Sequence, residues 1–192
     1  MSRSSFTLLL IFLIGISVII GIIFLGSRHE EIYQNLDRIP IVSSSVVSRD
    51  NQVLGIRKKT LGCEVKGPLP DVECTPGAII EGVTKEQICI PGYSKSVRNV
   101  SQLTKNQVYE EYGVTTHQTG EYEIDHLISL ELGGSNDIAN LFPEAAEPRP
   151  GFHEKDQVEN YLHEQVCLGG LSLVDAQKII ANNWLEVLNQ VK

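Results

Sequence analysis

Residues 122–143 read YEIDHLISLELGGSNDIANLFP, two short apolar-rich segments on either side of a run of turn-forming residues. Residues 123–128 alternate apolar and polar side chains, as a strand with one covered face does. The GGSND run at 133–137 is rich in turn formers and predicts a loop. Residues 139–142 predict a second short strand or extended segment ending at Pro143. Asp125 and His126 are neighbours near the end of the first strand. Successive strand side chains point to opposite faces, so one of the pair must turn at the strand end if both are to serve one site. Carboxylate and imidazole are both ligands for divalent cations, and a neutral imidazole is the best base available for a water molecule near pH 7.

The regular structure predicted on either side is helical. Upstream, TKNQVYEEY at 104–112 begins with a capping residue and stops at Gly113. Downstream, a helix beginning at His153 runs through EKDQVENYLHEQV, with Val158, Leu162 and Val166 in one stripe, and ends at Cys167 before Gly169 and Gly170. Ser172 then caps a last helix, with Asp175 three residues on, that turns Ala176, Ile179, Ile180, Trp184 and Leu188 inward. Trp184 reads as core rather than ligand contact.

The chain of 192 residues with 42% hydrophobic content can bury one modest core. Its N-terminus carries a separate signal. Residues 6–25, FTLLLIFLIGISVIIGIIFL, are twenty uncharged residues that as a helix would span ~30 Å, the hydrocarbon thickness of a bilayer. The run exceeds a signal-peptide core and lacks an A-x-A-like site behind it, so a retained anchor is favoured over a cleaved signal. Arg3 precedes it, while Arg28, Glu30 and Glu31 follow, which favours a cytoplasmic N-terminus and an outward-facing remainder. If the segment is cleaved, the protein is secreted. Residues 28–60 form a linker, with either a short hairpin around Asp50-Asn51 or no fixed structure. Residues 61–92 are dense in Gly, Pro and Cys, and ICIPGYSKSVRNVS predicts an extended arm. The domain expectation is an anchor or uncleaved signal over 1–27, a linker and arm over 28–92, and a catalytic domain over 93–192.

Cys63, Cys74, Cys89 and Cys167 form no CxxC pair, so zinc-ribbon spacing is absent and disulfides are expected. Three connectivities are possible. The favoured one pairs Cys63 with Cys74, around the loop CEVKGPLPDVEC, and Cys89 with Cys167. The net charge of -8 resides in residues 90–192, which hold seven Lys and Arg against fifteen Asp and Glu. This argues against a broad basic face that grips nucleic acid by counterion release. It leaves room for an enzyme that touches a few phosphates with the help of a bound cation.

The order Asp125-His126, a glycine-containing loop, Asn140-Leu141 fourteen residues after the histidine and a helix-borne His153 resembles the HNH nuclease superfamily. The likeness is close over 122–156. The continuation through Asn182-Asn183-Trp184 resembles one branch of small bacterial relatives. The resemblance implies an α+β fold: a small ββα-metal core with flanking helices and a disulfide-stapled N-terminal arm. It also implies roles: Asp125 and His153 as metal ligands, His126 as the base that deprotonates the attacking water, and Asn140 as the residue that holds the loop. The spacing from Asn140 to His153, thirteen residues, is longer than in many relatives because EAAEPRPG is interposed. The cofactor implied is a divalent cation, Mg or Mn by its oxygen-rich ligands, with Zn or Ni compatible with a second histidine.

Each residue also has a plainer reading. A His beside an Asp is usually a surface pair, and an Asn in a turn often bonds only its own backbone. Arg149 and Lys155 can contact a phosphate or simply be solvated. Glu144 and Glu131 can ligate or orient an imidazole, His117 and His163 read as structural or solvated, and Gly133-Gly134 supplies positive φ. Two function classes follow. One is a metal-dependent endonuclease outside the cytoplasm, with DNA favoured over RNA, whose partners are its nucleic-acid substrate and the membrane, with no small-molecule cofactor. The other is a binding or structural module that kept the fold and lost turnover.

Overall fold

The computed structural model describes residues 54–191. The expected anchor and most of the linker lie outside that range. Among the described residues no helix is long and apolar enough to cross a membrane.

The architecture is α+β, with one two-stranded antiparallel sheet and helices. Strand β1, Tyr122–His126, pairs with β2, Leu141–Ala145, placing Glu123 opposite Glu144, Asp125 opposite Phe142 and His126 opposite Leu141. Both strands are displaced from their expected bounds. Short 3₁₀ turns at Leu130–Leu132 and Ile138–Asn140 lie between them, each capped by a preceding side chain, Ser129 and Asp137. The first strand stops at His126, because Asn140 takes the N–H groups of Leu127 and Ile128, and the second begins only after the second turn.

Among the described residues the hairpin is accompanied by five helices: α1, Lys85–Ile88; α2, Tyr93–Val97; α3, Gln102–Glu111; α4, Phe152–Leu168; and α5, Leu173–Val191, which is kinked at Asn183. The arm expected to be extended thus contains two helical turns. Thr84 caps the first, its hydroxyl accepting from Gln87 N–H while the Gln87 side chain accepts from Thr84 N–H at 2.9 Å. Ser101 caps α3, so that helix begins ahead of Thr104, which donates its N–H to the Ser101 hydroxyl at 3.1 Å.

Helices α4 and α5 supply the core. Val158, Leu162 and Val166 meet Ala176, Ile180, Trp184, Val187 and Leu188, joined by Ile128, Leu132 and Ile88. Ile179, expected inside, is only partly buried. Gly151 starts α4 hard against the end of β2, where a Cβ would strike the carbonyl oxygens of Ala145 and Ala146. That close approach brings the first turns of α4 up to the sheet. Cys63 bonds Cys74 and Cys89 bonds Cys167, the favoured pairing. The second bridge ties the end of α1 to the last turn of α4 across 78 residues, a loop whose closure stabilises the fold by about 4 kcal/mol on chain entropy alone.

Candidate active site

The connection between β1 and β2 is held by one side chain. Asn140 is wholly buried, and its amide uses its full hydrogen-bonding capacity. Its oxygen accepts from Ile128 N–H at 2.9 Å and Ala78 N–H at 3.3 Å. Its NH₂ donates to the carbonyls of Ile128 and Ser135, both at 2.9 Å. Leu127 N–H closes the neck of the loop on Asn140 O at 2.8 Å. The glycines inside it divide their work: Gly133 takes the expected positive φ of 74°, whereas Gly134 is required because any Cβ would collide with the Ile128 carbonyl.

This loop carries Asn136 to His126. The Asn136 oxygen accepts from the backbone N–H of Asn99 at 3.1 Å, and its NH₂ donates to Val97 O at 2.8 Å. Those backbone partners are unambiguous, so the amide orientation is determined, and its oxygen can only accept from His126 Nε2 at 3.2 Å. His126 therefore carries its proton on Nε2 and leaves the lone pair on Nδ1, a buried nitrogen with no partner among the described residues. Burial pushes the imidazole pKa down to about 4 against the opposing pull of Asp125. At neutral pH the ring is an uncharged acceptor.

On the side of Asp125 lies a buried charge cluster. The Lys155 ammonium donates to Asp125 Oδ2 at 2.6 Å, to His126 O at 2.8 Å and to Glu159. Burial works against that charge, but the carboxylates, Asp125 first, hold its pKa above the ordinary lysine value. Asp125 is pushed up by burial and, more strongly, down by Lys155 and by hydrogen bonds from Glu144 and Lys155. Glu144 is driven well above its usual range, by burial first and then by Asp125. Both its oxygens lack a donor, which a protonated carboxyl resolves by donating to Asp125. Burial raises Glu159 to about 7. Three carboxyls thus share one ammonium, and the surplus is held in check by protonation.

The rim is also acidic. Glu123 and Asp156 are exposed, and their pKa values are raised by partial burial and then by Asp125. His153, exposed on the first turn of α4, and Arg98, exposed just after α2, both act electrostatically on these two carboxyls. Asp125, His126, Asn140 and Lys155 are therefore gathered at one place, with His153 at its edge. Arg149 is drawn off to Glu147 at 3.2 Å and Glu154 at 3.5 Å. Lys155 is buried beneath Asp125, so in this conformation it offers nothing to a phosphate. Glu131 caps no site group and lies in the first 3₁₀ turn.

Asp125 and Glu144 bring carboxyl oxygens, the class of donor a hard divalent cation takes, and an imidazole stands at the rim, but the Lys155 ammonium sits on Asp125 and these atoms do not gather into a ready ligand group. Among the described residues the potential ligand atoms that do converge are those of Cys89, His163 and Cys167. The two sulfurs are joined in a disulfide, and thiolate is the metal ligand, so that group could hold an ion only once reduced. His163 Nε2 lies 3.1 Å from Ile88 O, which makes it structural in the oxidised chain.

Sequence reasoning missed three participants. Asn136 was hidden inside a run that reads only as loop. Glu159 was legible as an i,i+4 partner of Lys155. Asp156 stands beside Lys155 in sequence but gains meaning only when α4 meets β1. No protein-family model, no curated protein and no solved structure matches the chain.

Proposed function

We propose that the protein is a hydrolase of phosphodiester bonds, and specifically a metal-dependent HNH-type endonuclease that acts on nucleic acid, DNA ahead of RNA, outside the cytoplasm. The observation that carries this reading is the tautomer of His126. A ring fixed by Asn136 through Nε2, uncharged near pH 7 and presenting an unpartnered Nδ1, is poised to take a proton from water. An orphaned buried nitrogen costs about 1–3 kcal/mol unless a water meets it, which marks Nδ1 as the place for the attacking molecule. Asn140 keeps the loop, and hence Asn136, in register.

Asp125 and His153, with Glu144 in reserve, would hold a divalent cation. When bound, that cation neutralises charge developing on the phosphate and lowers the pKa of water. The hairpin followed by α4 is the arrangement a ββα core requires, and the two disulfides support an oxidising compartment.

The test uses the full-length chain in mild detergent with supercoiled plasmid and Mg or Mn. Cleavage that EDTA stops is expected. His126→Ala should lower the rate by about 100- to 10,000-fold while Mn affinity, measured by calorimetry, stays within a few-fold. Asp125→Ala should weaken Mn binding as well. Folded wild-type protein that cuts nothing with either metal, or a His126→Ala variant of normal rate, would overturn the proposal.

A further inference from the structure

Three arginines lie among the described residues, and two are committed. Arg57 pairs with the buried Glu111, and Arg149 with Glu147 and Glu154. Arg98 is different: its guanidinium is exposed and makes no hydrogen bond or ion pair with any described residue. Its backbone is nevertheless the most tightly registered of the three relative to His126. Val97 O and Asn99 N–H, the groups on either side of it, both bond the side chain of Asn136, at 2.8 and 3.1 Å, and the same Asn136 oxygen receives His126 Nε2 at 3.2 Å. One amide therefore fixes the base and the segment bearing the free cation together. The Arg98 charge reaches His126, Glu123 and Asp156.

We infer that Arg98 is the phosphate-binding residue of this site, gripping a non-bridging oxygen of the nucleic-acid backbone beside His126. The inference rests on the phosphodiesterase reading and names the contact which that reading lacks. A polyanion approaching Glu123, Asp125 and Asp156 is repelled unless fixed positive charge stands at the rim. The two cations singled out from sequence cannot supply it as placed, Lys155 being enclosed and Arg149 neutralised on its own loop. A guanidinium presents a planar fork of donors that matches two phosphate oxygens, and an unpaired one spends nothing on breaking an existing bridge. Asn136 makes the placement useful for chemistry, because a phosphate held by Arg98 is held in register with Nδ1 of His126.

Arg98 is exposed and its side chain makes no hydrogen bond or ion pair with a described residue, so its replacement should leave folding intact, checked by an unchanged thermal melt. The full-length chain, Arg98→Lys and Arg98→Ala are compared in steady-state cleavage of a fluorescent duplex oligonucleotide with Mn, over a series of salt concentrations. Arg98→Ala is expected to lose about 10- to 100-fold in kcat/KM, and Arg98→Lys less, because the point charge survives without the fork. The log–log salt dependence should become shallower by about one ion in Arg98→Ala. Wild-type cleavage with Arg98→Ala matching it in rate and salt slope overturns this inference and leaves the nuclease standing. A wild-type chain that neither cuts nor binds the oligonucleotide overturns the nuclease reading and this one with it.

Discussion

Asn140 and Lys155 are both wholly buried, both polar, and both satisfied to the limit of their donors and acceptors, yet the regions around them are built on opposite terms. Around Asn140 every partner is a neutral backbone group, four bonds for four. Around Lys155 all three ammonium protons are used, but the ring of acceptors includes two carboxylates, and a third carboxyl, Glu144, has oxygens left over. The first region is closed and needs nothing further. The second carries more negative charge than one ammonium can balance in a low-dielectric interior, and it can be completed by protons or by another cation.

The largest expected effect breaks the closed region. Asn140→Ala strands two amide hydrogens and two carbonyls in the interior, a loss of about 4–6 kcal/mol at 1–3 kcal/mol per orphaned group with partial relaxation. That approaches the whole stability of a small domain, so the variant should lose its cooperative thermal transition in circular dichroism. A melt within a few degrees of wild type would mean the loop is held by something else.

Lys155→Met sharpens the contrast, being of similar length and uncharged. It leaves Asp125, Glu144 and Glu159 without a counter-ion, and breaking such a buried set costs about 3–5 kcal/mol at neutral pH. Unlike the loss at Asn140, this one should be reversible by charge. Millimolar Mn should raise the melting temperature of Lys155→Met by more than it raises that of wild type, because the vacated surplus now binds the ion more tightly. Equal shifts would show that the cluster does not exchange a proton or ammonium for a metal.

How legible the two regions were in sequence follows from the same difference. The closed region announces itself locally: strand alternation, turn formers and Asn140 before an apolar pair all lie within 122–143, and the structure displaces the strands by only a few residues. The stapling of Cys89 to Cys167 was equally readable from position, since the last turn of a helix and a turn-rich arm are natural ends for a bridge. The charged region is assembled from β1, β2 and α4. Lys155 looked like a solvated or phosphate-facing residue because nothing in EKDQVENYL says which way that helix is rotated against the sheet. The burial that reverses its meaning comes from Gly151 docking on Ala145 and Ala146, a contact with no periodicity to betray it. Arg98 was passed over for a similar reason, lying in a segment that reads as extended until Asn136 claims its neighbours.

The smallest effect concerns how the charged region titrates. Glu159 has its pKa raised by burial to about 7, so the native state holds a proton that the unfolded chain releases near 4.5. Its contribution to stability is fully present below that lower value and is lost as pH rises through 7. His126 runs the other way. Its pKa falls to about 4 in the native state against 6.5 unfolded, so the unfolded chain takes up the extra proton and stability is lost as pH falls from 6.5 towards 4. Glu144, its pKa also driven well above the usual range, runs with Glu159, so between about 4.5 and 6.5 two carboxyls lose stability as pH rises while the imidazole gains it. Each slope is at most about 1.4 kcal/mol per pH unit, and wild-type stability should fall across this window. Glu159→Gln removes one carboxyl slope and keeps an acceptor for Lys155. Urea unfolding of that variant should then show stability nearly flat with pH, the Glu144 and His126 slopes opposing. If the variant's stability still falls with pH, the imidazole is not held neutral by burial, and its readiness to act as a base loses its physical ground.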